Sequence, residues 1–251
     1  MDLYILKLIL LFAAGFVAAI INTIAGGGSF FTVPLLIFMG LPPTVANATN
    51  RLGVFAQSLS GITKFRSYGI FPWKLGLHIS IPSTIGALIG AYMATIISDD
   101  AFRKYFAVFM VLMTLVTFIK PKAPKDLNEL KFTPARWVML YVLFFFVGIY
   151  GGFIQAGVGF MFLASMVVTG TDLLTGNVLK LFVVTIFTFF ALVVFIIGGK
   201  VNFFLGLVLA AGSSLGAVFG AKISVKKGNR FIQRFVVVAV IFFAVLLLVR
   251  K

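Results

Sequence analysis

Charged residues are missing from long stretches of this chain. The longest uncharged run lies between Lys7 and Arg51, 43 residues. Others separate Lys74 from Asp99 (24), Arg136 from Asp172 (35), Lys180 from Lys200 (19) and Lys200 from Lys222 (21). A helix needs about 20 apolar residues to cross the hydrocarbon core of a bilayer. Each run therefore holds one span, or one span and a fragment. The pattern predicts spans at 4–24, 44–64, 74–97, 102–119, 137–155, 175–198, 202–222 and 231–249. Two apolar pieces, 29–39 and 159–169, are too short to cross and are expected as half-helices or re-entrant elements. The first run extends far past a signal-peptide core of about 7–15 residues and is taken as the first span.

The pattern repeats. Sliding the chain over itself by 130 residues sets Gly27 on Gly157, Phe30 on Phe160, Gly40 on Gly170, Asn47 on Asn177, Gly69 on Gly199, Gly76 on Gly206, Ser83 on Ser213, Gly86 on Gly216 and Gly90 on Gly220, without a gap. Apolar segments align with one another trivially, but glycines and an asparagine do not. The expected architecture is an all-α integral membrane protein of two homologous halves, 1–119 and 137–251. Each half has four transmembrane helices and one Gly-rich broken or re-entrant segment. The halves are joined by a charged, Pro-containing linker, 120–136. Paired repeats with interrupted helices at matching positions are the pattern of secondary transporters. The motifs GALIG and GAVFG, holding Gly86, Gly90, Gly216 and Gly220, are small-xxx-small pairs and are assigned to helix packing.

The interruptions are the candidate site. Residues 22–34 read NTIAGGGSFFTVP, and 151–160 read GGFIQAGVGF. Three consecutive glycines, Gly26, Gly27 and Gly28, cost a helix roughly 1 kcal/mol each relative to alanine, so the helix should open there. Open backbone at membrane depth persists only against protein or a water-filled cavity. A short helix starting near Ser29 would aim its partly positive amino terminus at the break and favour an anion. The second break brings Gln155, Gly157 and Gly159. Two helix starts follow, ANATNR with Asn47, Thr49, Asn50 and Arg51, and GNVLK with Asn177 and Lys180. Asn and Thr there can cap helices. Basic residues inside spans usually face a cavity or a partner, with snorkelling to the interface as the rival reading.

Composition sharpens this. The chain is 61% hydrophobic and 11% charged, with 21 basic residues, 6 acidic ones, one histidine and no cysteine. A water-soluble enzyme, thiol chemistry and a cysteine-ligated metal are excluded, and with so few ligands no metal or other cofactor is expected. An embedded enzyme would need a nucleophile with its base, or a metal, and none is in view. Few acids are available to neutralise Arg51 and Lys180, so a bound anion is their expected partner. Asp172, in a turn, is assigned to a loop or helix cap, and His78 to an interfacial position without a role. With eight spans and the amino terminus inside, the cytoplasmic side carries 12 basic residues and the far side 7, which favours that orientation; if each short piece crossed instead, ten crossings would invert the halves and call for both termini outside. The remaining positive charge suits acidic lipid headgroups. No nucleic-acid-binding module accompanies it, so no nucleic-acid partner is expected.

The stretch Gly15–Arg66 resembles the TauE/SafE family of sulfite and organosulfonate exporters. The matching features are the GGG break, Pro34, the turn at Gly40–Pro43 and the Ala46-x-x-Thr49 helix start, repeated as AGVGF and TGTDLLTGNVLK. The resemblance implies a cell-membrane carrier that exports sulfite, sulfonates or related anions by alternating access between two halves. Another small anion, or a non-transporting scaffold, is the alternative, and self-association into a homo-oligomer is left open.

Overall fold

The computed structural model describes residues 3–116, 133–168 and 171–249, so most of the 120–136 linker lies outside the described residues. The described residues form helices joined by short turns: α1 (Leu3–Ile24), α2 (Ser29–Phe38), α3 (Pro43–Arg66), α4 (Trp73–Ile96), α5 (Asp99–Val116), α6 (Pro134–Phe153), α7 (Val158–Val168), α8 (Leu173–Ile197) and α9 (Phe203–Val249). α9 is interrupted at Gly228, whose φ of 70° and ψ of −173° divide it into two arms. Among the described residues, five segments are long and apolar enough to cross a membrane: Tyr4–Ile24, Trp73–Ile96, Pro134–Phe153, Leu173–Ile197 and Phe203–Gly228.

Local chemistry fixes the helix starts. Pro43 and Pro134 open α3 and α6 at the position where a missing N–H costs nothing. Asp172 Oδ1 accepts from the Thr175 amide at 3.0 Å and caps α8, which is the loop-and-cap role expected of it. Asp99, in the first turn of α5, reaches α3: its Oδ1 accepts from the Thr44 amide (2.9 Å) and hydroxyl (2.8 Å).

The distribution of side chains is that of a protein solvated by lipid. Large apolar residues lie exposed along α4 (Ile81, Ile85, Tyr92, Ile96), α6 (Val138, Val142, Phe146), α8 (Phe189, Phe190, Ile197) and α9 (Phe203, Phe204, Leu207, Leu215, Phe219). Apolar surface on that scale is not left open to water. The interior instead takes polar groups and glycines. α3 is the extreme case, burying Asn47, Thr49, Asn50, Arg51, Gln57 and Ser58.

Glycines determine which helices touch. A Cβ on Gly86 would lie 2.2 Å from the Phe145 carbonyl oxygen, and one on Gly90 2.1 Å from that of Ile149. Reciprocally, Gly148 faces Ser83 and Gly152 faces Ala87, each at 2.1 Å. α4 therefore lies backbone to backbone on α6. In the same manner Gly212 and Gly216 of α9 meet the carbonyls of Phe12 and Phe16 in α1, each at 2.1 Å. α3 packs on the first arm of α9, α8 packs on α4, and α3 meets α8. Two groups result. One holds α1, α2, α3 and the 203–228 arm of α9; the other holds α4, α6, α7 and α8. Packing thus crosses the linker, with α4 and the first arm of α9 each set against helices from the other side of it.

Gly86→Ala should wedge α4 from α6. Overpacking of this kind costs about 1–3 kcal/mol. We expect a thermal transition several degrees below wild type in detergent; an unchanged transition would mean that the two helices separate freely.

Candidate functional site

The candidate site is built where two helices stop short. α1 ends at Ile24 and α2 starts at Ser29; α6 ends at Phe153 and α7 starts at Val158. Gly26 and Gly27 have φ of 112° and 87°, which only glycine adopts at little cost. At the second break Gln155 holds φ 66°, the one positive value at a non-glycine among the described residues. A strained residue of this kind persists where its surroundings fix it. Here its Nε2 donates to the Thr188 hydroxyl at 3.2 Å and its Oε1 accepts from Arg51. The two breaks touch: a Cβ on Gly159 would lie 2.7 Å from Gly26 Cα, and one on Gly26 2.9 Å from the Gly159 backbone. The rings of Phe30 and Phe160 lie beside this contact, 6.5 Å apart.

Each broken helix leaves carbonyl groups without helical donors, and its carboxyl end carries partial negative charge. The chain supplies donors crosswise. From α8, Lys180 Nζ donates to the carbonyls of Asn22 (2.7 Å) and Thr23 (3.5 Å) and to Asn177 Oδ1 (2.8 Å), while Asn177 Nδ2 donates to the Ile24 carbonyl (2.8 Å). From α3, Arg51 donates to the carbonyls of Gly151 (3.0 Å) and Gly152 and to Gln155, and Asn47 Nδ2 donates to the Phe153 carbonyl (2.9 Å). The Arg51 guanidinium also lies 4.6 Å from the centre of the Phe195 ring. Both cations are fully buried, so snorkelling does not occur. The expectation that they lack protein partners is corrected: their partners are backbone carbonyls, which no tally of acidic side chains can find.

A cleft runs between the two helix groups. Asn22, Ser29, Val54, Gln57 and Ser58 line one wall, and Gln155, Val158, Gly159, Lys180, Leu181 and Val184 the other. It is tight, leaving room for roughly one water molecule. A second space adjoins it through Asn22, Ser29, Val54 and Gln57, and continues past Gly28, Thr32, Asn50 and Ser213. Neither space is lined by a carboxylate. The first turns of α2 and α7 open toward the cleft at Ser29 and Gly159, so positive helix ends and one ammonium face it together.

The structure sorts the residues singled out from sequence. Lys180, Gln155 and Gly159 line the cleft, and Gly28 and Asn50 the adjoining space. Arg51, Asn47 and Asn177 stand behind it, holding helix ends. Asn50 pins α2, donating to Ser29 Oγ (3.1 Å) and accepting from Thr32 Oγ1 (2.6 Å). Thr49 faces elsewhere: its hydroxyl accepts from the Asn202 amide at 3.0 Å, before α9. Gly26 serves the contact between breaks, Gly28 the close approach to the Ala18 carbonyl, and Gly27 and Gly157 the turns. Sequence reasoning missed Asn22, Gln57 and Ser58. Gln57 and Ser58 lie two turns beyond Arg51 on one helix, and that spacing was the available signal. His78 is exposed, its ring 4.9 Å from that of Trp137.

Apolar helices around a buried polar seam define a multi-pass integral membrane protein. The chain belongs to the TauE/SafE family: the model described as "Sulfite exporter TauE/SafE" matches residues 11–247. It is 31% identical to the probable membrane transporter protein ORF9 of Sinorhizobium over 252 residues, covering 98% of this chain and 94% of that protein. It is 31% identical to a probable membrane transporter protein of Haemophilus influenzae over 241 residues, 95% and 93% of the two chains. It is 26% identical to the probable membrane transporter protein YfcA of Escherichia coli over 232 residues, 91% and 84%. No solved structure matches significantly.

Arg51→Met should strand the acceptors at Gly151, Gly152 and Gln155, at about 1–3 kcal/mol for each group left unsatisfied. We expect a large loss of thermal stability and partial recovery with Arg51→Lys. Equal stability of the methionine variant would show that these carbonyls find other donors.

Proposed function

We propose that the protein is a secondary transporter of small anions, with sulfite or a sulfonate as its cargo, working by alternating access at the cleft. The observation that carries this reading is a cleft between two interrupted helices that faces a buried ammonium and two helix amino termini and is lined by no acid. Lys180 and Gln155 face the ligand. Arg51 acts at one remove, holding Gln155 and the end of α6. The name of the matching family supplies the sulfur oxyanion, and the names of the relatives supply transport.

Two repeats of four spans each are part of this reading. Adding 130 to the starts of α2, α3 and α4 (29, 43, 73) gives 159, 173 and 203, against observed starts of 158, 173 and 203 for α7, α8 and α9. Asn47 and Asn177, equivalent in that register, each donate to the last carbonyl of the opposite broken helix. α2 and α7, with 10 and 11 residues, reach only about 15 Å, half a hydrocarbon core, which favours re-entrant elements.

The moving bodies are the packed groups rather than the sequence halves. α1–α3 travel with the 203–228 arm, and α4 travels with α6–α8, because α1 meets that arm and α4 meets α6 backbone to backbone, with α3 packed on α9 and α8 on α4. The cleft lies on the seam between them, and its tightness describes a closed state that must open to admit an anion.

Two measurements test the proposal. In proteoliposomes containing wild-type protein, sulfite flux should exceed that of empty vesicles, and Lys180→Ala should lower it at least tenfold; flux equal to wild type in that variant removes Lys180 from the site. The chain has no native cysteine, so Val54→Cys with Val184→Cys offers a clean pair across the seam. A short bifunctional thiol reagent should stop flux in the double variant and spare each single one. Undiminished flux in the bridged protein would mean that the seam does not move.

A further inference from the structure

We infer that Gln57 contacts the transported ligand and sets its specificity, donating from its carboxamide to an oxygen of a compact oxyanion, with the Ser58 hydroxyl beside it. The inference rests on the reading of the cleft as the anion site.

Gln57 lies on α3, 4% exposed, and lines both the cleft and the space adjoining it. Its side chain has no hydrogen-bond partner among the described residues. Ser58 Oγ is buried and likewise unpartnered. An unsatisfied buried hydroxyl is destabilising, and the Gln57 amide opens onto the cleft rather than onto a protein acceptor, so both groups stand where a ligand could engage them.

In the 130-residue register Gln57 corresponds to Phe187 and Ser58 to Thr188. Phe187 is fully buried in the apolar core, and Thr188 is engaged by Gln155. An equivalent place in the same architecture is therefore filled by an apolar ring, and packing alone does not call for an amide. The amide has two N–H donors, and Lys180 and Gln155 lie on the opposite wall. Donors from both walls suit a ligand with several oxygens on one centre better than a spherical halide.

The test is equilibrium binding of sulfite and chloride to purified full-length protein, with the thermal transition of the unliganded protein read alongside. Gln57→Leu keeps the volume and removes the donors. A hydrogen bond to a charged group is worth roughly tenfold or more in affinity. Gln57→Leu should weaken sulfite binding by about that factor, leave chloride binding unchanged and leave the unliganded transition equal or higher. Gln57→Asn should fall between the two. Sulfite affinity within twofold of wild type in Gln57→Leu overturns the inference while the anion site stands. A lower unliganded transition in that variant also overturns it, by showing that the amide holds the fold. Wild-type protein that binds neither anion would overturn the anion site and this inference together.

Discussion

A helix interrupted in hydrocarbon leaves carbonyl oxygens that water cannot reach, and each must be given a donor or the interruption is lost. Everything distinctive about this protein follows from how that need is met. α1 and α6 both stop short, and the groups that receive their ends come from α8 and α3, across the seam: Lys180 and Asn177 at Asn22–Ile24, Arg51 and Asn47 at Gly151–Phe153. A cation at a helix carboxyl terminus is favoured by the dipole as well as by the hydrogen bonds. With both ends secured, α2 and α7 can begin afresh and present their amino termini to one cleft.

The glycines serve the same end by another route. Those in α4, α6 and α9 bring backbones into contact, giving two groups whose internal surfaces are closely fitted. The fit is made with helices from the other side of the linker, so the two groups cannot separate as the linear sequence would divide them. The cations then become the ties between groups. A motion that opens the cleft must pivot about those ties or exchange them. Lys180 is the member that both ties and lines the cleft, holding the carbonyls of Asn22 and Thr23 from its wall.

Much of this was legible in the sequence. Uncharged runs located the helices within a few residues, because lipid penalises charge wherever it is exposed to the bilayer. The glycine triplet and the QAGVG segment located both breaks, because glycine takes the positive φ of Gly26, Gly27 and Gly157 at little cost. Asp172 was rightly read as a cap, since a short acid before an apolar run has little else to do. The partners of Arg51 and Lys180 were not legible. Backbone carbonyls are present at every position, and only the fold decides which of them are free. Thr49 was placed with the ligand for its neighbours in sequence, yet the amide it accepts from lies 153 residues away. Gln57 and Ser58 sit mid-helix, away from either break, and only their spacing from Arg51 pointed to them.

In the proposed 130-residue register the two sides differ at the residues that matter most. Arg51 corresponds to Leu181, Lys180 to Asn50, Asn22 to Gly152 and Gln57 to Phe187. Each side has one cation for the opposite helix end, at adjacent positions of the proposed register. The displacement has consequences: Asn50 is released to hold Ser29 and Thr32 in α2, and Arg51 is drawn away from the cleft behind Gln155. The cleft is left with a single ammonium on one wall and uncharged hydrogen-bonding groups on the other. A strictly two-fold site would set identical charges on both walls and bind a ligand in either orientation. The observed asymmetry distinguishes the walls, so the cleft offers charge on one side and only neutral hydrogen-bonding groups on the other.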